Sequence, residues 1–437
     1  MVFSFTRHVI QASNNLEYPV KSTFQHLKLQ RSSAFLMATT LMICLLVGCN
    51  MVAQISSPTT SWVLCAKEYS GCSFIGLRDV RFVLDGKATI KTFYGGLESC
   101  NNAHFDLAVG GSGAATCEYA STYKTITIQN PMPGMSGLGS SINLPLGHPG
   151  FSTARVQDTT DLGIASDIGA FRVPCDVSHF GFDDPMVFPG KPGMSHLHMF
   201  FGNTATNANS TADSILNSGN STCAGGILDR TAYWVPALID DTGNIILPDS
   251  AIFYYKTGYL GIKPSDIKAI LKGLRMIAGD GSLSSRQGQG NWGCLEVYLG
   301  HFDSIQDVLN DARCVIGNHI QLSIEFPQCW DGKNLDSSNH KSHMANPVNG
   351  SCPSTHPVAI PVITFNVRFP ITQNSKNQNW HLSSDMYDYT KLGGGLSVHG
   401  DWWDGWDTNT EKAWIENCDN PSKDCHAYLL GNGKTLF

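Results

Sequence analysis

Two stretches of alternating residues decide the fold: His319-Ile-Gln-Leu-Ser-Ile-Glu-Phe326 and Ile363-Thr-Phe-Asn-Val-Arg-Phe369. In both stretches an apolar residue follows every polar one. Because successive side chains of a strand point to opposite faces, each stretch has one apolar and one polar face. This pattern is typical of half-buried antiparallel strands. We therefore predict a mostly β protein whose main domain, residues 166–437, is an antiparallel β-sandwich with long loops and a disulfide-bonded C-terminal segment.

The composition agrees with a turn-rich β protein and excludes two classes of partner. Of the 437 residues 42% are hydrophobic and 15% are charged, with 43 Gly and 20 Pro, which is too apolar for a disordered chain. The formal charge of −7 offers no general attraction to phosphate backbones, so nucleic acid is not an expected partner. Gly288-Gln-Gly-Asn-Trp-Gly293 follows polar residues rather than a strand, so no nucleotide is expected there either.

Residues 1–48 have the pattern of an export signal. A basic segment with Arg7, Lys21, Lys28 and Arg31 precedes the apolar run from 34 to 48. The run is shorter than the roughly 20 residues that a membrane-spanning helix needs.

Two ways of processing this signal segment remain open. Leu46-Val-Gly-Cys49 resembles a bacterial lipobox, which implies lipidation of Cys49 and a tether over 49–58. The alternative is ordinary cleavage near Ala53-Gln54. Both predict an exported protein, either a cell-surface or outer-membrane lipoprotein or a secreted one. Membrane contact is expected only through the lipid anchor.

The cysteines predict a set of disulfides. Of the 14 cysteines, Cys44 and Cys49 belong to the signal region and twelve follow it. An even number in an exported protein indicates disulfide bonding. Because each pair of sequence neighbours encloses its own local segment, we predict the pairs Cys65–Cys72, Cys100–Cys117, Cys175–Cys223, Cys294–Cys314, Cys329–Cys352 and Cys418–Cys425.

Residues 59–120 are predicted to form a small disulfide-bonded β module. Val80, Phe82 and Leu84 alternate with other residues before Asp85-Gly86, which is a hairpin signal. Residues 121–165 are rich in Gly, Ser and Pro and are predicted to be a linker. A helix is predicted to begin at Ser265, after Pro264.

The N-terminal module resembles a small module that is appended to secreted bacterial polysaccharide-degrading enzymes. The resemblance rests on the motifs Trp62-x-x-Cys65-Ala66-x-Glu68, Cys72-x-Phe74, Val80-Arg81-Phe82 and Cys117-x-Tyr119. It implies a carbohydrate-binding accessory, and the alternative is a spacer.

Histidines in the main domain offer a candidate metal site. In an extended segment the imidazoles of His196 and His198 share a face, and His399 could join them. Imidazole suits divalent Zn, Mn or Cu, so a divalent metal is the cofactor that these three residues could hold. The alternative is that each histidine is a hydrogen-bonded structural residue, and no cofactor is required by the sequence.

Acidic and aromatic residues suggest chemistry on sugars. Glycoside hydrolysis needs a pair of carboxylates, and flat aromatic faces beside amides and carboxylates suit a sugar ring. The alternatives are turn-forming aspartates and tryptophans in the core. The candidate catalytic residues are Asp184, Asp331, His198, His399 and Asp401. The candidate substrate-binding residues are Trp330, Asn334, Asp336, His340, His343, Trp402, Trp403 and Asn203.

Five ordered segments resemble the motif set of DUF1996, a family of secreted proteins of fungi and bacteria. They are DDPMVFPGKPGMSHLHMFFGN, GLRMIAGD, FPQCWDGKNLDSSNHKSHMA, CPSTHPVAIP and VHGDWWDGWD, and the resemblance covers about 165 to 425. Met199 and Asn346 depart from the pattern. The resemblance implies a secreted, disulfide-bonded protein found beside cell-wall or carbohydrate-binding modules, with no established activity.

These observations together predict an exported protein that binds or processes extracellular polysaccharide or cell-wall glycan. Whether it is an enzyme is left open by the sequence. The alternatives are a non-catalytic adhesin or envelope-structuring protein and a metal-dependent hydrolase.

Overall fold

The computed structural model describes residues 61–108, 114–129, 141–282, 284–285, 288–376 and 379–437. The predicted signal segment, the tether and the lipidation site Cys49 lie outside these residues. Among the described residues there is no helix with the length and apolar character needed to cross a membrane.

The described residues form 26 strands and four short α-helices, together with three 3-10 turns and a π-helical turn. The strands are β1 (Trp62–Lys67), β2 (Cys72–Leu84), β3 (Lys87–Leu97), β4 (Thr116–Ala120), β5 (Thr125–Gln129), β6 (Ser141–Pro145), β7 (Val156–Asp158), β8 (Ile164–Ala165), β9 (Ala170–Pro174), β10 (Val177–Gly181), β11 (His198–Gly202), β12 (Ala232–Pro236), β13 (Leu238–Ile239), β14 (Ser250–Lys256), β15 (Arg275–Gly279), β16 (Gly290–Cys294), β17 (Leu299–Phe302), β18 (His319–Glu325), β19 (Cys329–Trp330), β20 (Met344–Ala345), β21 (Val358–Ala359), β22 (Val362–Pro370), β23 (His381–Leu382), β24 (His399–Trp403), β25 (Lys423–Ala427) and β26 (Lys434–Leu436). The helices are α1 (Ala212–Asn217), α2 (Ile305–Asn310), α3 (Tyr389–Leu392) and α4 (Thr408–Trp414).

The N-terminal module is a four-stranded antiparallel sheet in the order β1-β4-β2-β3. Its small core contains Val80, Phe82 and Phe105. The hairpin predicted at Asp85-Gly86 is present between β2 and β3, where Leu84 pairs with Lys87. Two disulfides bond the module, Cys65–Cys72 and Cys100–Cys117.

The described part of the predicted linker is folded, so the linker prediction is wrong for these residues. Strands β5 and β6 pair with each other, and β6 buries Ile142 and Leu144 in the main core. β7 and β8 pair with strands near the C-terminus. The strands of this segment are formed by short stretches in which apolar and polar residues alternate. The many Gly, Ser and Pro residues around them make these stretches hard to recognise in the sequence.

The main domain contains two large sheets. One has eight strands in the order β17-β16-β18-β22-β14-β9-β25-β8, and the other has five in the order β10-β11-β12-β24-β15. The alternating stretches that predict the fold are β18 and β22, which pair with each other at the centre of the larger sheet. A Cβ atom at Gly400 on β24 would lie 2.9 Å from the Ile324 side chain on β18, so the two sheets pack closely at this point. The mostly β, largely antiparallel fold is confirmed.

Two further predictions can be compared with the structure. All six predicted disulfides are present. The helix predicted from Ser265 is wrong: a single 3-10 turn spans Pro264–Asp266, and its last residue is followed by extended backbone at Ile267. Ile267 and Ile270 are nevertheless both buried. Two buried residues three positions apart are also the pattern of one helix face, so the spacing alone indicated a helix.

The C-terminal strand closes the main domain. β26 pairs with β7, with Leu436 opposite Val156. The next residue, Phe437, accepts a hydrogen bond on its backbone oxygen from Arg155 Nε at 2.7 Å. The last strand of the chain therefore pairs with a strand of the segment that was predicted to be a linker.

Candidate metal centre

The five-stranded sheet has two faces with different roles. Met199, Tyr233 and Trp402 point into the main core, which lies between the two large sheets. Their sequence neighbours Phe200, Trp234 and Trp403 belong to a separate core on the opposite face. This opposite face, which we call the front face, carries the candidate site.

Strand register places two histidines at the same end of the front face. His198 begins β11 and His399 begins β24, with β12 between these strands. Asp401, two residues after His399, shares its face and lies opposite Trp234 and Ile277 on the neighbouring strands. The third histidine, His196, lies two residues before His198 in the preceding loop.

The three imidazoles converge. One ring nitrogen from each of His196, His198 and His399 lies within 4.8 Å of the other two. The Nε2 atoms of His196 and His399 are 3.2 Å apart. Residues 203 positions apart in the chain are thus in contact. The predicted three-histidine cluster is present in the structure.

Hydrogen bonds fix the tautomer of two histidines directly. His198 Nδ1 is 2.9 Å from the backbone oxygen of Asp183, and His399 Nδ1 is 2.9 Å from that of Ser397. A carbonyl oxygen can only accept, so both Nδ1 atoms carry the proton. Both Nε2 atoms are therefore free to act as ligands.

The tautomer of His196 follows from Ser383. The Ser383 hydroxyl donates its proton to the backbone oxygen of Leu197. It must therefore accept from His196 Nδ1, which is 3.0 Å away. All three Nε2 atoms thus present lone pairs to a common point.

Burial keeps these imidazoles neutral. It lowers the pKa of His198 to about 4 and that of His399 to about 4, and in His399 the nearby His198 adds to the effect. Burial, together with the neighbouring His198 and His399, lowers the pKa of His196 well below its ordinary value. Neutral imidazole is the form that binds metals.

The geometry matches the needs of a tetrahedral metal ion. Two imidazole nitrogens that each lie about 2.0–2.1 Å from a tetrahedral zinc ion are about 3.3 Å apart. The separation of 3.2 Å between His196 Nε2 and His399 Nε2 is close to this value. His198 Nε2 is buried without a hydrogen-bond partner among the described residues. A cation at the common point would satisfy all three lone pairs.

Two aspartates lie near the histidines. Asp401 is 1% exposed, and neither of its carboxylate oxygens has a hydrogen-bond partner among the described residues. Burial and the neighbouring Asp184 raise its pKa well above the usual value. A buried carboxyl without a partner is costly, and a nearby cation would remove that cost. Asp184 uses Oδ1 to accept hydrogen bonds from the backbone N–H groups of Met186 and Val187.

The structure does not support a ring platform formed by tryptophans. Trp402 and Trp403 are 0% and 1% exposed, so neither has a free face for a sugar, and this part of the prediction is wrong. Their neighbouring aspartates suggest an exposed segment, but each aspartate is itself buried or in a local cap. Trp330 is also buried and donates through Nε1 to the backbone oxygen of Asn334 at 2.7 Å.

Several other candidate residues hold loops together. Asp331 accepts from the backbone N–H groups of Lys333 and Asn334, which is the turn-forming alternative. Asn203 is buried and donates to the backbone oxygens of residues 215 and 218. His343 Nε2 is 2.8 Å from the backbone oxygen of Arg275.

One loop group lies beside the front face. Asp336 binds Arg275 at 2.7 Å and His340 at 2.9 Å. Arg275 in turn lies over the Trp403 ring, 4.5 Å from its centroid. A role in substrate binding for Asp336, His340, His343 and Asn334 stays a prediction.

Sequence reasoning missed the groups that orient the histidines. Ser383 and the backbone oxygens of Asp183, Leu197 and Ser397 set the three tautomers. Ser383 has no spacing or motif that marks it, because it reaches His196 across 187 residues of chain. Lys341 was also missed, although its ammonium donates to the backbone oxygen of Gly279 at 2.6 Å, opposite His399 in the sheet.

Comparisons with known proteins place the site within a domain family whose function is unknown. No curated protein matches the chain, and no solved structure matches it. The sequence model described as "Domain of unknown function (DUF1996)" matches residues 184–406, which include all three histidines, Asp184 and Asp401. The match covers more than half of the chain. The chain belongs to the DUF1996 family.

Proposed function

We propose that this protein is an exported metalloenzyme that binds one divalent transition metal through His196, His198 and His399 and hydrolyses extracellular polysaccharide. The observation that carries the proposal is the convergence of three neutral Nε2 lone pairs, each with its Nδ1 proton donated to an oxygen. Such outer hydrogen bonds orient histidine ligands in metal sites.

The number of ligands favours a catalytic role over a structural one. Structural zinc sites are closed by four protein ligands, whereas catalytic sites keep a position for water or substrate. Among the described residues, the ligand atoms of this cluster, which lie within 4.8 Å of one another, come from three histidines and from no fourth residue. A metal held there would supply Lewis acidity and a water with a lowered pKa.

Two carboxyl groups beside the histidines suit proton transfer, and one side of the site is open to the surface. Asp184 is close enough to Asp401 to raise its pKa, and these two carboxyl groups are the ones that would hold or move a proton beside the histidines. His196 is only partly buried, whereas His198 and His399 are buried. The site therefore reaches the surface on the side of His196, where a polymer could approach.

The polysaccharide part of the proposal has different support. Six disulfides fit an exported protein. The N-terminal module resembles accessory modules of polysaccharide-degrading enzymes, and extracellular glycans are the polymers that such modules accompany. A lipid anchor at Cys49 would hold the enzyme at the cell surface.

Metal analysis of the purified full chain tests the centre itself. After loading with zinc and removal of excess metal, we expect about one equivalent in the wild type and less than a tenth in His198→Ala. His356→Ala, which changes a histidine outside the cluster, should keep the full equivalent. Binding below a tenth of an equivalent for zinc, copper and manganese alike, or unchanged binding in His198→Ala, would remove the metal from the proposal.

A glycan panel tests the activity. New reducing ends should appear with the metal-loaded wild type, disappear after chelation, and be absent with His198→Ala at equal thermal stability. Metal binding without any release, together with retention of the protein on a glycan, would instead favour the non-catalytic adhesin.

A further inference from the structure

A cavity of about 190 Å³ lies where the N-terminal module meets the main domain. It is separate from the histidine cluster, since the two share no residue. The module contributes Phe74 and Tyr94, and the main domain contributes Asp176, Phe201, Asp249 and Ser250.

An irregularity in the module creates the cavity. Ser73 pairs with Gly96 and Leu77 pairs with Tyr94, so three residues of β2 stand opposite the single residue Gly95 of β3. Such a bulge bends a strand. Gly76, in the bulge, has a φ of 75° and lies so close to Leu247 that a Cβ atom would be 2.9 Å from its side chain. The bulged strand thus packs against the main domain and leaves a space beside the contact.

Asp176 is the unusual group in this space. Asp176 is among the residues that line the cavity, and no hydrogen bond or charged group among the described residues stabilises its carboxylate. Burial alone raises its pKa to about 6, with no basic neighbour to oppose the effect. At neutral pH the cavity therefore contains a negative charge that the protein leaves unpaired.

The other polar groups do not neutralise this charge. Asp249 is already paired with His319, 2.5 Å from its ring Nε2. Burial and the charge of Asp176 raise the pKa of Tyr94 far above its usual value, so this phenol stays neutral. The lining residues include no Lys or Arg within the described part of the chain. Phe74 and the half-buried Tyr94 supply ring faces as walls, whereas Phe201 is 1% exposed and belongs to the main core.

We infer that this cavity binds a protonated primary amine carried on a small ring, the chemistry of an amino sugar. An ammonium group offers three donors and a positive charge to the Asp176 carboxylate, while the ring carbons pack against the rings of Phe74 and Tyr94. A neutral sugar would bring donors but no charge, and the carboxylate would stay unneutralised. The inference does not depend on the metal centre.

Calorimetry on the full chain with glucosamine as the probe tests the inference. We expect glucosamine to bind at least tenfold more tightly than glucose, which differs in having a hydroxyl in place of the amine. Asp176→Asn should weaken glucosamine binding at least tenfold. Asp106→Asn, which changes an exposed carboxylate of the module, should leave it unchanged.

Further arms keep the test decisive. Tyr94→Phe retains the ring that packs in the module and should weaken glucosamine binding severalfold, so the inference does not depend on one variant folding. Equal affinity for glucose and glucosamine, no binding of either at millimolar concentration, or glucosamine binding unchanged in Asp176→Asn would each overturn it. Calcium binding that requires Asp176 and displaces glucosamine would also overturn it, since the site would then be one for an inorganic cation.

Discussion

Asp401→Asn tests whether the unpartnered carboxyl beside the histidines serves a cation. Asn keeps the shape of Asp but cannot ionise. In the metal-free protein, the wild-type carboxyl is 1% exposed and both oxygens lack partners. An unpaired buried polar group costs on the order of 1–3 kcal/mol, and an ionisable one costs more. Asn remains a buried polar group but removes the cost of protonating a carboxyl whose pKa is 3.8 in the unfolded chain, so we expect it to raise the free energy of unfolding of the metal-free protein by about 1–3 kcal/mol at pH 7.

The same substitution should have the opposite effect on metal binding. A metal at 1,000 times its Kd stabilises the folded state by about 4.1 kcal/mol. Loss of the neighbouring negative charge is expected to raise Kd at least tenfold, which removes about 1.4 kcal/mol of that stabilisation. The variant is then more stable than the wild type without metal and gains less from adding it.

Urea denaturation in EDTA and in saturating zinc measures both effects. The expected gain in EDTA should shrink as the pH falls towards 3.8, the ordinary pKa of Asp, because the unfolded wild-type chain then also holds the proton. A loss of stability in EDTA, or an unchanged response to zinc, would refute the reasoning.

Asp404→Asn is the matched control. Asp404 is also buried, but its carboxylate lies 3.3 Å from Lys272 Nζ and accepts from the backbone N–H of Trp406. Lys272 keeps its ion pair with Glu411, so the substitution should cost only about 1–3 kcal/mol, equally with and without metal.

Three other substitutions test the packing. Replacing Cys175 and Cys223 together by Ser opens a loop with a sequence separation of 48 and should lower the free energy of unfolding by about 4 kcal/mol, and an unchanged urea midpoint would contradict this. Asp176→Asn, without ligand, should stabilise the fold by up to about 3 kcal/mol at pH 8, because burial raises the pKa of the carboxyl group from 3.8 to about 6. This gain should vanish below pH 3.8. A gain that does not change with pH would exclude burial of the charge as its cause. Trp403→Ala should cost about 3–5 kcal/mol by leaving a cavity, and glycan binding that is lost without any loss of stability would show that the buried position is wrong.

The parts of the fold that could be predicted are those with a local signal. Alternation in β18 and β22 depends only on residues within each strand, and both strands lie where their apolar faces require. The disulfides were predictable for a similar reason, since each one joins sequence neighbours. The segment from 125 to 145 was not predictable as a hairpin, because its turn-forming residues outnumber the few apolar ones that hold it.

The candidate site was predictable in its residue types and not in its surroundings. The spacing of His196 and His198 indicated a shared ligand, and His399 joins them only because β12 lies between β11 and β24 in the sheet. Asp404 and Asp407 made the tryptophan segment look exposed. Asp404 binds Lys272, and Asp407 caps α4 by accepting from the backbone of Thr410. Because Lys272 is distant in the chain from Asp404, the local sequence does not show that this lysine neutralises the Asp404 carboxylate.

The pairing of β26 with β7 has a practical consequence for anyone who engineers this protein. Because the final residues Lys434–Leu436 are a strand of the folded domain, a stop codon introduced before Lys434 would expose the edge of β7 and the pocket that Leu436 fills. Engineered versions should therefore keep the residues up to Phe437 and separate any fusion placed after Phe437 by a flexible spacer.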